Sequence, residues 1–175
     1  MSLPHAIVIV RALATIPICL LVLAGTPVDD VAALVVFVIA ALTDAVDGPI
    51  ARSRGEVTTL GIAIDPLADK ILVLGTLSAL VARGLAPGWA VGVIGARELV
   101  AVFRRAGRVL PARADGKAKT AAQMVACGGL IAAASLRSEG LLLAADAILG
   151  LAVALTVLSG VRLIFRASQT RADAR

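Results

Sequence analysis

The chain of 175 residues is 59% hydrophobic and 2% aromatic, with a formal net charge of +5 and a mean hydropathy of +0.97. A soluble domain of this length has no use for so much apolar surface, and several stretches approach the ~20 apolar residues that cross a bilayer. The basic balance would suit nucleic acid, but the cations gather at the ends of apolar segments. That is the positive-inside pattern of a membrane protein, so anionic lipid is the expected partner and nucleic acid is not.

Six apolar segments follow in order. The first, about 6–23, carries Arg11 in its early turns and has no basic region ahead of it, so it is a retained helix rather than a signal peptide. Gly25, Pro27, Asp29 and Asp30 form a short acidic turn. The second segment, about 31–51, ends in Asp44 and Asp47, and Ser53, Arg54, Gly55 and Glu56 connect it to the third. That one, about 58–81, opens with Asp65 and Asp69. Arg83, Gly84, Pro87 and Gly88 mark the next turn, with Trp89 where an interfacial aromatic sits. The fourth, from about 90 to 103 or 110, holds Arg97 and Glu98 and precedes a basic run of Arg104, Arg105, Arg108, Arg113, Lys117 and Lys119. The fifth, about 120–136, is rich in Ala and Gly, which suits close helix packing. The sixth, about 141–165, leads to a polar tail over 169–175.

Strands cannot span lipid without closing a barrel, and these segments are too long for barrel strands. The expected fold is an all-α integral membrane protein with six transmembrane helices, forming one domain over residues 1–168. Six crossings place both termini on one side, together with Arg52, Arg54, the 104–119 basic run and the C-terminal arginines. Arg83 and Arg137 fall opposite, beside Asp29 and Asp30. The asymmetry orients the termini toward the cytoplasm.

Cys19 and Cys127 lie alone in apolar segments and are read as packing residues, with neither disulfide nor zinc site. His5 is the one histidine, which excludes a multi-histidine metal site. Asp146 is read as a buried acid near a helix start, stabilised by the helix dipole and without catalytic role.

The informative stretch is Asp44 to Lys70, DAVDGPIARSRGEVTTLGIAIDPLADK. Carboxylates at bilayer depth are costly and mark functional sites. Asp44 and Asp47 are three apart and Asp65 and Asp69 four apart, so each pair shares one helix face. The short polar connection makes the two segments antiparallel neighbours and brings the faces together. Four such acids need a neutralising cation, and all-oxygen ligation suits Mg²⁺ or Mn²⁺. With ~1.5 Å of rise per residue, the acids lie roughly 10–20 Å inside the cytoplasmic helix ends, in a polar cavity open to that side. Pro49, beside Gly48, and Pro66, beside Asp65, each remove a helical hydrogen bond, which a membrane helix either simply tolerates or turns into a kink that opens the cavity.

The pattern D-x2-D-G-x2-A-R-x8-G-x3-D-x3-D, filled by Asp44, Asp47, Gly48, Ala51, Arg52, Gly61, Asp65 and Asp69, resembles the signature of the CDP-alcohol phosphotransferase family. The resemblance implies displacement of CMP from a CDP-linked lipid by direct attack of an alcohol, with two metal ions clamping the diphosphate. Asp44, Asp47, Asp65 and Asp69 would be the metal ligands, and Asp69 also the general base. Asp47, Gly48, Ala51, Arg52 and Gly61 would bind CDP-diacylglycerol, the glycines by allowing close backbone approach and Arg52 by its planar fork. The family likeness also implies a homodimer.

The second half resembles the corresponding regions of bacterial phosphatidylglycerophosphate synthases, through Ala96-Arg97-Glu98, Arg105 and the run from Gly116 to Met124, with Arg11 and Pro17 in the first segment. On that likeness Arg97, Arg105, Lys117 and Lys119 would bind the phosphate of sn-glycerol 3-phosphate, and Glu98 would neutralise a neighbouring arginine. A phosphorylated acceptor does need a cationic pocket, although a basic run also anchors on anionic lipid. Relatives commonly carry Pro-Asn and a Thr where this chain has Pro4-His5 and Val8, and a small hydroxyl residue where it has Val102. The alternatives are a cardiolipin synthase or phosphatidylinositol phosphate synthase on the same scaffold, and a divalent-cation transporter using the acids as an ion path.

Overall fold

The computed structural model describes residues 3–53, 59–105 and 114–172, with side chains over 9–43, 67–102 and 118–161. Apolar runs broken by Gly, Pro and Asp become helices because a helix satisfies its own backbone groups. Six are present among the described residues: α1 Leu3–Ala24, α2 Pro27–Ser53, α3 Thr59–Ala82, α4 Gly88–Arg105, α5 Ala114–Leu136 and α6 Glu139–Ala172. No strand occurs among the described residues.

Local chemistry sets the turns. Gly25, at φ +75°, ends α1. Thr26 then caps α2, its hydroxyl accepting the Asp29 N–H at 3.2 Å and donating to the Asp29 carboxylate at 2.6 Å, with Pro27 at the first helical position. Asp29 and Asp30 are therefore in the first turn of α2, not in a turn before it. Past α3, Gly84 at φ +74° closes a Schellman motif, its N–H donating to Val81 O and that of Leu85 to Leu80 O, both at 2.9 Å. Arg137 takes the same left-handed position after α5 at φ 48°.

Residue pairs give the topology. Arg11 meets Asp69 and Thr15 meets Gly75, so α1 and α3 run parallel. Gln123 meets Thr156 and Gly129 meets Ala145, so α5 and α6 run antiparallel. Helices α1 and α5 each pack against both α2 and α3. The antiparallel α2–α3 pairing expected from the sequence is not extensive among the described residues, where α1 and α5 bridge the two helices instead. The core is Ile18, Val22, Phe37, Leu72, Leu77, Leu80, Leu130, Ile131 and neighbours.

The outside is apolar as well. Leu13, Leu42, Leu99, Val125 and Leu143 are each more than half exposed, while Arg11, Asp30, Glu98, Lys119 and Gln123 are buried. Such a distribution points to a membrane protein. Two described spans are long and apolar enough to cross a bilayer, Ala118–Leu136 and Glu139–Val161, and Ile9–Ala24 is a shorter apolar helix.

Some boundaries differ from those read in the sequence. α5 begins at Ala114, so Lys117 and Lys119 ride on its first turns rather than in the preceding loop, an Ala-rich stretch favouring helix. α6 continues through residues 169–172 of the polar tail. Asp146 is exposed, not buried, because its neighbours Ala145 and Leu149 take the inward positions. Cys127 is fully buried and neither cysteine is bonded, as packing residues should be.

At the end where the α1–α2, α3–α4 and α5–α6 turns meet, buried Asp30 forms a two-pronged pair with Arg83, which lies over Gly25. This joins the acidic turn to one of the two cations expected on its side. A cavity of about 270 Å³ opens there, lined by Asp30, Arg83, Arg137 and Glu139 among others. Arg83 is fourteen positions beyond Asp69, about 21 Å of helix rise, so this cavity is remote from the acidic stretch.

The α1–α3 seam is tight. A methyl on Gly75 would overlap the Thr15 Cγ2, and Thr15 is β-branched, buried and stiff in its helix. Gly75→Ala is expected to destabilise by about 1–3 kcal/mol, read as a lowered thermal midpoint in detergent, and Thr15→Ala in the same chain should recover most of it. Equal midpoints for Gly75→Ala and the parent would contradict the seam.

Candidate active site

Asp69 lies about 15 Å along α3 from its first residue, one position before Lys70 and one after fully packed Ala68. Arg11 comes to it from α1, its side chain 1% exposed, with Nη1 donating to Asp69 Oδ1 at 2.8 Å. A guanidinium buried that deeply needs a charged partner, and the parallel α1–α3 packing supplies one. Breaking such a pair leaves one charge uncompensated, which costs far more than the pair itself contributes.

Beside it three helices converge on one carboxylate. Glu98 of α4, 6% exposed, accepts Arg97 Nη1 at 2.8 Å and Lys119 Nζ of α5 on Oε1, and Lys70 Nζ of α3 at 3.1 Å on Oε2. The Arg97 stem runs against Gly160 of α6, where a methyl would come within 3.4 Å of its Cγ. Behind Lys119, Gln123 donates to the Thr156 hydroxyl at 2.9 Å, which donates to Ala152 O at 2.7 Å, fixing α5 to α6. The arrangement offers a carboxylate, Asp69, followed in sequence by Lys70, which joins Arg97 and Lys119 around one counter-charge among the described residues. Carboxylate oxygen suits hard cations and proton transfer, and clustered Arg and Lys suit phosphate.

Of the residues singled out in the sequence, the structure brings Arg97 and Lys119 together on Glu98 and sets Asp69 against Arg11, one position before Lys70 of the same cluster. Asp44, Asp47, Gly48, Ala51 and Arg52 lie on the last turns of α2, and Gly61 and Asp65 on the first turns of α3. The backbone is helical through all of them, Pro49 and Pro66 included, which keeps each acid pair on one helix face. Their side chains, and those of Arg105 and Lys117, lie outside the described residues. No cluster of metal-binding residues is formed by the described residues alone. Three features went unread in the sequence: the Arg11–Asp69 pair, Lys70 on Glu98, and Lys119 on Glu98. The signal for the first was Arg11 itself, a lone cation inside an apolar segment, which demands a partner.

The family model for CDP-alcohol phosphatidyltransferase matches residues 1–158. The chain belongs to the CDP-alcohol phosphatidyltransferase family. Among curated members, it is 38% identical over 148 residues to the CDP-diacylglycerol--glycerol-3-phosphate 3-phosphatidyltransferase of Bacillus subtilis (strain 168), covering 74% of this chain and 76% of that one. It is 38% identical over 143 residues to a probable phosphatidylglycerophosphate synthase of Mycobacterium tuberculosis, covering 78% and 66%. It is also 36% identical over 88 residues to a CMP-forming cardiolipin synthase of Streptomyces coelicolor, covering 47% and 41%. CDP-alcohol phosphatidyltransferases generally use divalent metal ions, and the four acids of this member, hard oxygen donors at helical spacing on two unbroken helices, fit such an ion.

Proposed function

We propose that the chain transfers a phosphatidyl group from CDP-diacylglycerol to sn-glycerol 3-phosphate, releasing CMP and phosphatidylglycerophosphate. All six helices cross the membrane within one domain over 1–168, followed by the 169–175 tail. Both termini and the active site face the cytoplasm, and the protein works as a homodimer. The observation that carries the reading is the Arg11-paired acid Asp69, followed in sequence by Lys70 of the cation cluster on Glu98, in a chain of this family.

Asp44, Asp47, Asp65 and Asp69 would hold Mg²⁺, as two ions. When bound, the metal supplies charge stabilisation on the phosphoryl oxygens of the diphosphate. Asp47, Gly48, Ala51, Arg52 and Gly61 receive the cytidine diphosphate head, while the acyl chains stay in lipid. Arg97, Arg105, Lys117 and Lys119 bind the acceptor phosphate and present its hydroxyl. Asp69, oriented by Arg11, accepts the hydroxyl proton as the oxygen attacks phosphorus. The new P–O bond forms as the bond to CMP breaks, with no covalent enzyme intermediate.

A cardiolipin synthase activity, which the Streptomyces relative's name raises, is the second reading. It is disfavoured because phosphatidylglycerol brings no phosphate monoester to the cluster on Glu98. Ion transport has no use for that cluster or for a nucleotide site. The test is CMP release by purified protein with CDP-diacylglycerol and, in turn, glycerol 3-phosphate, phosphatidylglycerol, inositol phosphate, inositol and serine. Glycerol 3-phosphate alone should support release, EDTA should abolish it and Mg²⁺ restore it. Release with a different acceptor would overturn the substrate, and undiminished release in EDTA would overturn the metal.

A further inference from the structure

Among the described residues, Lys70, Arg97 and Lys119 meet a single carboxylate, Glu98, which leaves the cluster with a surplus of two positive charges. Lys70 and Arg97 side chains are each 15% exposed, Lys119 5%, so the surplus is screened little by solvent. Such a surplus is costly to keep in a membrane-embedded bundle unless an anion enters. A second observation points the same way. The Nε of Arg97 is buried with no hydrogen-bond partner, and buried donors of this kind are rare. Its Nη1 is taken by Glu98, so Nε remains as a donor for an incoming oxygen.

Glu98 divides its oxygens, Oε1 to Arg97 and Lys119 and Oε2 to Lys70. It therefore draws ends from α3, α4 and α5 to one point and holds the long lysine side chains in place before any ligand arrives, which lowers the ordering cost of binding. Lys70 is also the cation next in sequence to Asp69, which ties the cluster to the proposed base.

We propose that Lys70 is a ligand of the acceptor phosphate, and that Lys70, Arg97 and Lys119, held by Glu98, select a phosphate monoester near two negative charges over a singly charged phosphodiester or an uncharged alcohol. The selection rests on the transferase reading above for its place in the reaction. A monoester carries about −1.5 to −2 at pH 7, close to the cluster's surplus, whereas a diester leaves one positive charge uncompensated.

The experiment measures binding as well as turnover, so the two readings fail separately. Radiolabelled glycerol 3-phosphate is bound to purified full-length protein in Mg²⁺, with glycerol 3-phosphate and its phosphomethyl diester as competitors. The parent should prefer the monoester. Lys70→Met should weaken monoester binding roughly 10- to 100-fold, the worth of a charged hydrogen bond, with little change for the diester, and Lys70→Arg should restore much of it. In turnover, the KM for glycerol 3-phosphate should rise while the KM for CDP-diacylglycerol stays put. Unchanged monoester binding in Lys70→Met, equal losses for both competitors, or no binding to the parent would overturn the inference. Selective binding without CMP release would overturn the transferase reading and leave the phosphate site standing.

Discussion

Asp69→Asn is expected to lower the rate of CMP release by roughly 10²–10⁴-fold, the usual worth of a positioned general base, while CDP-diacylglycerol still binds. Asn preserves the shape of the side chain and an oxygen that accepts the Arg11 Nη1 now donating to Asp69 Oδ1. The α1–α3 seam, set by Thr15 against Gly75, is not otherwise touched. The change removes the proposed base and one charge of the proposed metal site. The proposed donor-side ligands Asp44, Asp47 and Asp65 remain. Turnover and donor affinity are measured on the same preparation. A loss of CDP-diacylglycerol binding as large as that of Asp44→Asn would remove the base assignment and make Asp69 only a ligand.

Arg11→Met should reduce kcat by about 100-fold, because displacing a reacting group by about 1 Å costs that much, and should also lower the thermal midpoint. Methionine fills the apolar part of the cleft on α1 but leaves Asp69, 20% exposed at its side chain, without the fork that orients it. Arg11→Lys keeps the charge and loses the planar geometry, so it should recover stability more than rate. The double variant Arg11→Met with Asp69→Asn should be little worse in rate than Asp69→Asn alone, since the proposed catalytic role of Arg11 is to orient Asp69. Full additivity of the two losses would mean that Arg11 serves some other part of the site.

The helices were legible in the sequence because apolar runs of bilayer length are long and Gly, Pro and Asp punctuate them. Gly25, Thr26-Pro27 and Gly84 act where such residues should, as helix stop, cap and stop. The family, too, was legible, since the acid spacing from Asp44 to Asp69 is distinctive. What periodicity cannot supply is the partner of a face. Arg11 and Asp69 are 58 positions apart, and their meeting depends on α1 lying against α3 through Gly75, a packing fact with no local signature. Glu98 looked like a counter-charge for adjacent Arg97, and it is one, but Lys70 and Lys119 reach it from two other helices. Asp146 was placed inside by its apolar neighbours, although a helix one residue on from Ala145 has already turned about 100° outward.

The measurement that bears most directly on the account is the mass of the lipid made when purified protein, CDP-diacylglycerol, Mg²⁺ and glycerol 3-phosphate are combined. Phosphatidylglycerophosphate should appear in step with CMP, one for one, and disappear in Asp69→Asn. Cardiolipin formed only when phosphatidylglycerol is supplied, or CMP released with phosphatidic acid as the lipid product, would contradict the assignment of glycerol 3-phosphate as the attacking alcohol.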